Sequence, residues 1–350
     1  MARPLDSAKT VCEMHKRHHN LSILVVSLFC LSFLLIRPTL SVYAQPPPPS
    51  QVTARGIQLY KQGDASGAIK LLKEVVKKQP NDAYAWYYLG LAFYSQGFIA
   101  QARPGFQRVI ELWPDSADAH SKLAYALILA NEPEKAMALA QRAIELGDQS
   151  PEAHYAIAEA ILKSPANTLR PGQLALAVDE AETALRINPN FAPALITKSF
   201  ALFNLKRYSE AATSLEGWLG TRSDDIDAGI WREQLEYLRA KAESRTTSPP
   251  GSEPPVFSGA MVTQKAQILS KPEPSYTEAA RMAGVVGTVV LRGVLASDGE
   301  VKNLVVIQNL GYGLTTRAVQ AARQIKFVPA LKDNKPVSMY IQIEYNFNLF

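Results

Sequence analysis

Few side chains suited to covalent or metal chemistry remain once the N-terminal segment 1–44 is set aside. Both cysteines, Cys12 and Cys30, lie in that segment, and only His120 and His154 follow His19. No thiol nucleophile is therefore left for the body of the chain. No His/Cys spacing matches a zinc site, and no Gly-rich loop precedes a helix as a phosphate cradle would. Asp224, Asp225 and Asp227 form a small acidic cluster. Short carboxylates in front of a helical run serve more often as a solvated turn and helix cap than as metal ligands. The expectation is a chain without catalytic residues, cofactor or metal.

The chemistry that remains is recognition. Near the C-terminus Met339, Ile341, Ile343, Tyr345 and Phe347 alternate with Tyr340, Gln342, Glu344 and Asn346. A period of two predicts a strand with one buried and one wet face. Before it, Val285–Leu295 is β-rich, Ser297-Asp298-Gly299 turns the chain, and Val301–Ile307 returns as a second strand. The spacing of Val301, Leu304 and Val306 slips by one position, which predicts a bulge. Leu314, Ala318, Ala321, Ala322 and Ile325 share one helical face, and Tyr276–Ala283 reads as a short helix stopped at Gly284. These elements make a small α+β domain over 259–350 with a three-stranded antiparallel sheet.

Ahead of this domain, the Pro/Ser/Gly-rich stretch that opens at Arg245 (RTTSPPGSEPP) marks a linker over 245–258. Residues 51–244 are helical and repetitive. Pro80 and Pro114 share one spacing with Gly56 and Gly90, Leu59 and Phe93, Gly63 and Gly97, and Ala68 and Ala102. Small Gly90 and Ala102 suit a close helix crossing, which Trp86, Leu89, Phe93 and Phe106 would fill. Pro114 would end the second helix. About five such units fit before Ile226–Ala242, a helix with one charged face that would close a stack.

The N-terminus belongs to export. Leu21–Ile36 is an uncharged, mostly apolar run behind Lys16 and Arg17. As a helix it rises about 24 Å, less than the roughly 30 Å of a bilayer core. Val42-Tyr43-Ala44 fits signal cleavage, with Gln45 as the new first residue. A cleaved signal and a retained inner-membrane anchor over residues 21–36 both stand, and either sends residues 45–350 outward. Pro46–Pro49 makes a stiff spacer over 45–50. The net charge of +5 divides into +3 over 1–44, −2 over 45–255 and +4 over 256–350. No basic run occurs beyond Lys16-Arg17, so nucleic acid is not an expected partner.

Two resemblances follow. The period of about 34 residues, with Trp86-x2-Leu89-Gly90-x2-Phe93, Ala102, Phe106 and Pro114, resembles the tetratricopeptide (TPR) repeat. That resemblance implies a concave groove for an unidentified protein, here lined by Tyr60, Tyr84, Tyr87, Tyr94, Tyr125, Tyr155, Phe200 and Phe203. The ordered set Pro274-x-Tyr276, Ala280-Arg281, Gly287-x-Val289, Asp298-Gly299-x-Val301, Phe327-x-Pro329-Ala330 and Lys335-Pro336-Val337 resembles the TonB C-terminal domain. Tyr276-Thr277 departs from the family's frequent Tyr-Pro and implies a different helix entry.

This second resemblance implies a periplasmic protein that grips the N-terminal motif of outer-membrane TonB-dependent transporters. The guest would add a strand along Met339–Phe347. It also implies an ExbB–ExbD motor as partner if residues 21–36 stay as anchor, although no histidine lies inside that run. The alternative is a non-transducing scaffold for an envelope complex, or an adaptor on peptidoglycan.

Overall fold

The computed structural model describes residues 46–164, 170–247 and 255–349. The apolar run, the Ala44–Gln45 junction and residues 248–254 of the linker lie outside the described residues.

Among the described residues eleven helices build the first part: α1 (Gln51–Lys61), α2 (Ala65–Lys78), α3 (Ala83–Ser95), α4 (Ile99–Leu112), α5 (Ala117–Leu129), α6 (Pro133–Glu145), α7 (Pro151–Lys163), α8 (Pro171–Ile187), α9 (Ala192–Asn204), α10 (Tyr208–Thr221) and α11 (Ala228–Thr247). They form five pairs and a closing helix, as the repeat implies. Local signals set the starts. The Ser50, Asp64 and Asp82 side chains accept from Thr53 N, Gly67 N and Ala85 N at 3.2, 2.7 and 2.9 Å. The turns inside the first, second, third and fifth pairs each need a left-handed residue. Gly63 and Gly97 supply it, then Asn131 at φ 55° and Lys206 at φ 61°.

The repeat shows most clearly in packing. Ala68, Ala85, Ala102, Ala119, Ala136 and Ala153, spaced at half the repeat period, are wholly buried. A small side chain is thus set at each helix crossing. At Gly90 a Cβ would meet the Phe106 ring at 3.0 Å, and at Gly105 it would meet Trp86 O at 3.0 Å. The expected reason for a small residue in the second unit is the observed one.

The second part holds β1 (Val256–Phe257), β2 (Gln267–Ser270), α12 (Glu278–Ala283), β3 (Gly287–Leu295), β4 (Val301–Gln308), α13 (Leu314–Arg323), β5 (Lys326–Val328), β6 (Ala330–Lys332) and β7 (Lys335–Phe347). The three long strands lie in the order β7-β3-β4, antiparallel throughout. The sheet is larger than the expected three strands. β1 joins β7 in parallel at Val256 and Phe257, and β6 joins it at Ala330–Lys332. β2 and β5 make a separate two-stranded ladder. These added strands are too short to carry a period in the sequence. The bulge falls where the slip in spacing put it, with register shifts between Val290 and Leu291 and between Arg292 and Val294.

Helix α13 turns Leu314, Ala318 and Ala322, all 0 % exposed, toward a core shared with Val289, Leu291, Ile343 and Tyr345. One continuous group of buried apolar side chains runs from Ile99 through Leu238 and on through Ala280–Phe347. The array and the small domain therefore share a core rather than hanging apart on the linker.

Candidate functional site

β7 is the candidate site, and its two edges differ. Toward β3 it is paired from Met339 to Phe347 without a register break. On the other side β1 takes Ser338 and Met339, while β6 pairs with Lys335–Val337, ahead of the stretch that meets β3. Met339, the first residue of the expected receiving stretch, is thus already beside Phe257. From Tyr340 to Phe347 no strand among the described residues covers the outer edge.

Alternation sets which groups face outward. Lys271 Nζ donates to Glu344 O at 2.7 Å from the outer side. In an antiparallel strand a residue's N–H and C=O point the same way and the direction alternates. Tyr340, Gln342, Glu344 and Asn346 therefore aim their backbone groups outward, while Ile341, Ile343, Tyr345 and Phe347 bond to β3. Side chains alternate with them. Ile343, Tyr345 and Phe347 are buried, and Tyr340 is 52 % exposed.

Beside this edge lies a cavity of about 280 Å³ lined by Ile268, Lys271, Ile325, Ile341, Gln342, Ile343 and Glu344. Lys271 also sits 4.5 Å from the Tyr345 ring centroid. Burial, with the Glu273 charge adding to it, pushes the Tyr345 phenol up to about 12. The edge thus offers backbone groups without a partner strand next to a hollow of mixed lining, with Ile268, Ile325, Ile341 and Ile343 beside Lys271, Gln342 and Glu344, which is what an extended peptide needs in order to pair and seat a side chain.

The expected groove residues take different places. Tyr94, Tyr125 and Tyr155 form a ladder of rings at 5.7 and 5.5 Å, which continues to Phe191 at 5.7 Å. Tyr60 meets Tyr88 edge-on, Tyr84 leans on Trp113, and Phe203 lies against Tyr208 and Tyr237. Tyr87 donates to Asp118 at 2.8 Å and Tyr94 to Glu152 at 3.2 Å. Burial first, and then the carboxylate at each hydroxyl, raises both phenols above the ordinary range. For the Lys122 ammonium burial acts to lower the pKa. Glu152 at 2.7 Å and Asp118 at 3.4 Å outweigh it and hold the group charged.

The middle of this groove is filled from within. Tyr125, Tyr155 and Phe200 are 8, 6 and 6 % exposed. Tyr312, in the loop between β4 and α13, packs against the shared core and borders the same cavity as Tyr125 and Tyr155, and Val286 N donates to Leu129 O at 2.9 Å. A cavity of about 240 Å³ remains between the two parts, bounded by Tyr125, Tyr155, Trp218, Trp231, Val285 and Tyr312.

Asp227 corrects the reading of the acidic cluster. It is not in a solvated turn but is 3 % exposed. Its carboxylate accepts from Gly313 N at 3.1 Å, Thr316 N at 3.2 Å and Thr316 Oγ1 at 2.6 Å. Gly313 stands at the start of α13 with φ 82° and no side chain to cap it. Asp227 supplies that cap from the array, where a negative charge also suits the helix dipole. Burial pushes its carboxyl above the usual carboxylate range, against the pull of these donors. A helix that starts without a capping residue of its own is the one signal in the sequence for such a partner.

Two more expectations meet the structure here. Thr277, in place of the family's frequent proline, caps α12 by accepting from Ala280 N at 3.2 Å and donates to Tyr312 O at 2.6 Å. The changed helix entry is thus a cap and a second tie to the Tyr312 loop. His120 is 5 % exposed with Nδ1 at 2.9 Å from Ser116 O, and His154 Nδ1 lies 2.7 Å from Glu180 Oε2. Both are spent on array contacts. No group of three His, Cys, Asp or Glu side chains that could hold a metal occurs among the described residues.

Comparison with known proteins follows this division. Residues 272–349 match the family described as Gram-negative bacterial TonB protein C-terminal. Residues 56–97 and 92–151 match two families described as TPR repeat and tetratricopeptide repeat. No curated protein matches the chain. Solved structures similar to it include MamA, at 24% identity over 48% of this chain and 94% of that chain, with a TM-score of 0.38. Another is PilW, a widely conserved type IV pilus biogenesis factor, at 17% identity over 55% of this chain and 86% of that chain, with a TM-score of 0.43. A third is a thermophilic TPR protein of Thermus thermophilus, at 17% identity over 54% of this chain and 97% of that chain, with a TM-score of 0.37. Among the described residues no helix is long and apolar enough to cross a membrane. The chain joins a tetratricopeptide array to a TonB C-terminal domain, both of them folds of protein-interaction families.

Proposed function

We propose that this chain works in the periplasm and holds the N-terminal motif of an outer-membrane TonB-dependent transporter by strand addition on the outer edge of β7. The observation that carries this reading is the unpaired run from Tyr340 to Phe347, whose outward N–H and C=O groups have no partner strand among the described residues. An extended segment pairing there gains main-chain hydrogen bonds, and the Ile268–Ile325–Ile341–Ile343 hollow takes one of its side chains. The array serves as a stiff spacer that fixes the direction in which the edge faces. Coupling to an ExbB–ExbD motor belongs to this reading only if residues 21–36 remain as an inner-membrane anchor. The scaffold alternative leans on a free groove, and Tyr312 already packs into the stretch beside Tyr125 and Tyr155.

Titration of the full chain with labelled transporter N-terminal peptides tests the proposal. Saturable binding is expected with a Kd on the order of 10–100 μM, or about 5.5–7 kcal/mol. The substitution Gln342→Pro removes one outward N–H and sets a ring in the guest's path. It leaves the β3 ladder intact, since a proline is tolerated where the N–H faces away from the partner strand. Loss of binding in this folded variant is the expected result. Equal affinity in both proteins would overturn the edge assignment.

A further inference from the structure

A sheet has two edges, and either one, left open, accepts any extended chain. In the main sheet the second long edge is β4. It too has no partner strand on its outer side among the described residues, yet the molecule treats the two edges differently.

On β4, Val306 is 2 % exposed. Its N–H donates to Gln234 Oε1 at 3.1 Å, and its C=O accepts from Gln234 Nε2 at 3.4 Å. Gln234 lies on α11, the closing helix of the array, and is itself 5 % exposed. A primary amide presents one acceptor and one donor side by side, as a peptide unit of a neighbouring strand would. The side chain therefore stands in for a strand and takes both groups at once. Upstream, Asn303 holds φ 50° and the β3–β4 register shifts nearby. A kinked, bulged edge does not lie flat against a guest.

On β7 the resident is Lys271, whose ammonium donates to Glu344 O. An ammonium has donors and no acceptor, so it cannot satisfy an outward N–H. The outward N–H groups of Gln342, Glu344 and Asn346 stay available. Lys271 is an exposed side chain on a long flexible stem, whereas Gln234 is locked between two elements.

We propose that these two side chains decide which edge admits a guest strand. Gln234 is a permanent plug on β4, and Lys271 is a displaceable guard on β7. The guest is an extended peptide running beside Tyr340–Phe347, so the part concerning Lys271 rests on the function proposed above. The part concerning Gln234 does not. The array thereby gives the small domain one receiving edge and denies the other to peptides and to further copies of the chain.

Amide hydrogen exchange on the full chain tests the plug. Val306 should exchange slowly, and the outward amides of Gln342 and Asn346 quickly. In Gln234→Leu, Val306 should exchange about three- to tenfold faster, the loss expected of one hydrogen bond. Gln234→Glu keeps the acceptor and should leave Val306 slow, which separates loss of the plug from loss of the fold. An unchanged Val306 in folded Gln234→Leu would overturn the plug.

The guard is tested with a spin-labelled peptide copying residues 338–349 of this chain. It should broaden resonances of 340–347 and spare 303–308 in the wild type. In Lys271→Ala it should do so at a peptide concentration about threefold lower, one weak hydrogen bond having been removed from the competition. In Gln234→Leu broadening should extend to 303–308. Broadening at 303–308 in the wild type would overturn edge selection. A peptide that marks neither edge, while Val306 responds as stated, would overturn the Lys271 half and leave the plug standing, and the transporter-peptide titration reads the proposed function separately.

Discussion

Asp227 sits between the last pair of the array and its closing helix, and ties that junction to α13 through three donors. Removing one side of such a buried cluster leaves the donors without partners. Asp227→Ala should cost about 2–3 kcal/mol, as expected for hydrogen bonds to a charged group, and a lowered urea midpoint would register it. His120 gives a pH signature. Burial depresses its pKa, so the fold prefers the neutral ring. The unfolded chain then takes up protons first as pH falls below about 6.5, the ordinary histidine value. Stability from this group is complete above that pH and is lost on acidification. The drop in urea midpoint between pH 7.5 and 5.5 should be larger for the wild type than for His120→Gln. Both residues were visible in the sequence as to type. Their partners were not, because Asp227 and Thr316 stand 89 residues apart and nothing local records the pairing.

Elements with a strong period were legible. The terminal strand, the hairpin before it and α13 fall within a few residues of where alternation and the helical face put them. The strands β1 and β6 were not, since segments so short are defined by the partner they meet rather than by a pattern of their own. β1 matters to the site because it closes the outer edge of β7 at Ser338 and Met339 and leaves Tyr340 as the first free position. The helix crossings make a paired prediction about glycine. At Gly105 a Cβ would meet Trp86 O at 3.0 Å and the Gly90 Cα at 3.2 Å, both backbone atoms that cannot step aside. At Gly217 the nearest atom is Leu195 Cδ2 at 3.4 Å, an ordinary contact. Gly105→Ala should lose about 1–3 kcal/mol to the clash, which exceeds the helix-propensity gain. Gly217→Ala should keep that gain, up to about 1 kcal/mol, and raise Tm.

At the scale of the molecule, one apolar core spans the array from Ile99 onward and the small domain, while α1 and α2 pack with part of α3 in a separate group. Native-state hydrogen exchange should therefore divide the chain in two. Amides of α1 and α2 should open first, and those of α7, α9, β3 and α13 should share one higher opening energy. Independent opening of the array and the small domain would contradict the common core. This docking could not be read from the sequence, where the Pro/Ser/Gly stretch argues for two separate bodies.

What the whole arrangement presents to a guest is the outer edge of β7, and exchange of three amides tests that claim most directly. With a transporter N-terminal peptide at saturation, Gln342, Glu344 and Asn346 should gain protection. The amides of Ile341, Ile343 and Tyr345, already bonded to β3, should change little. Peptide binding that leaves those three outward amides as fast as before would contradict the account.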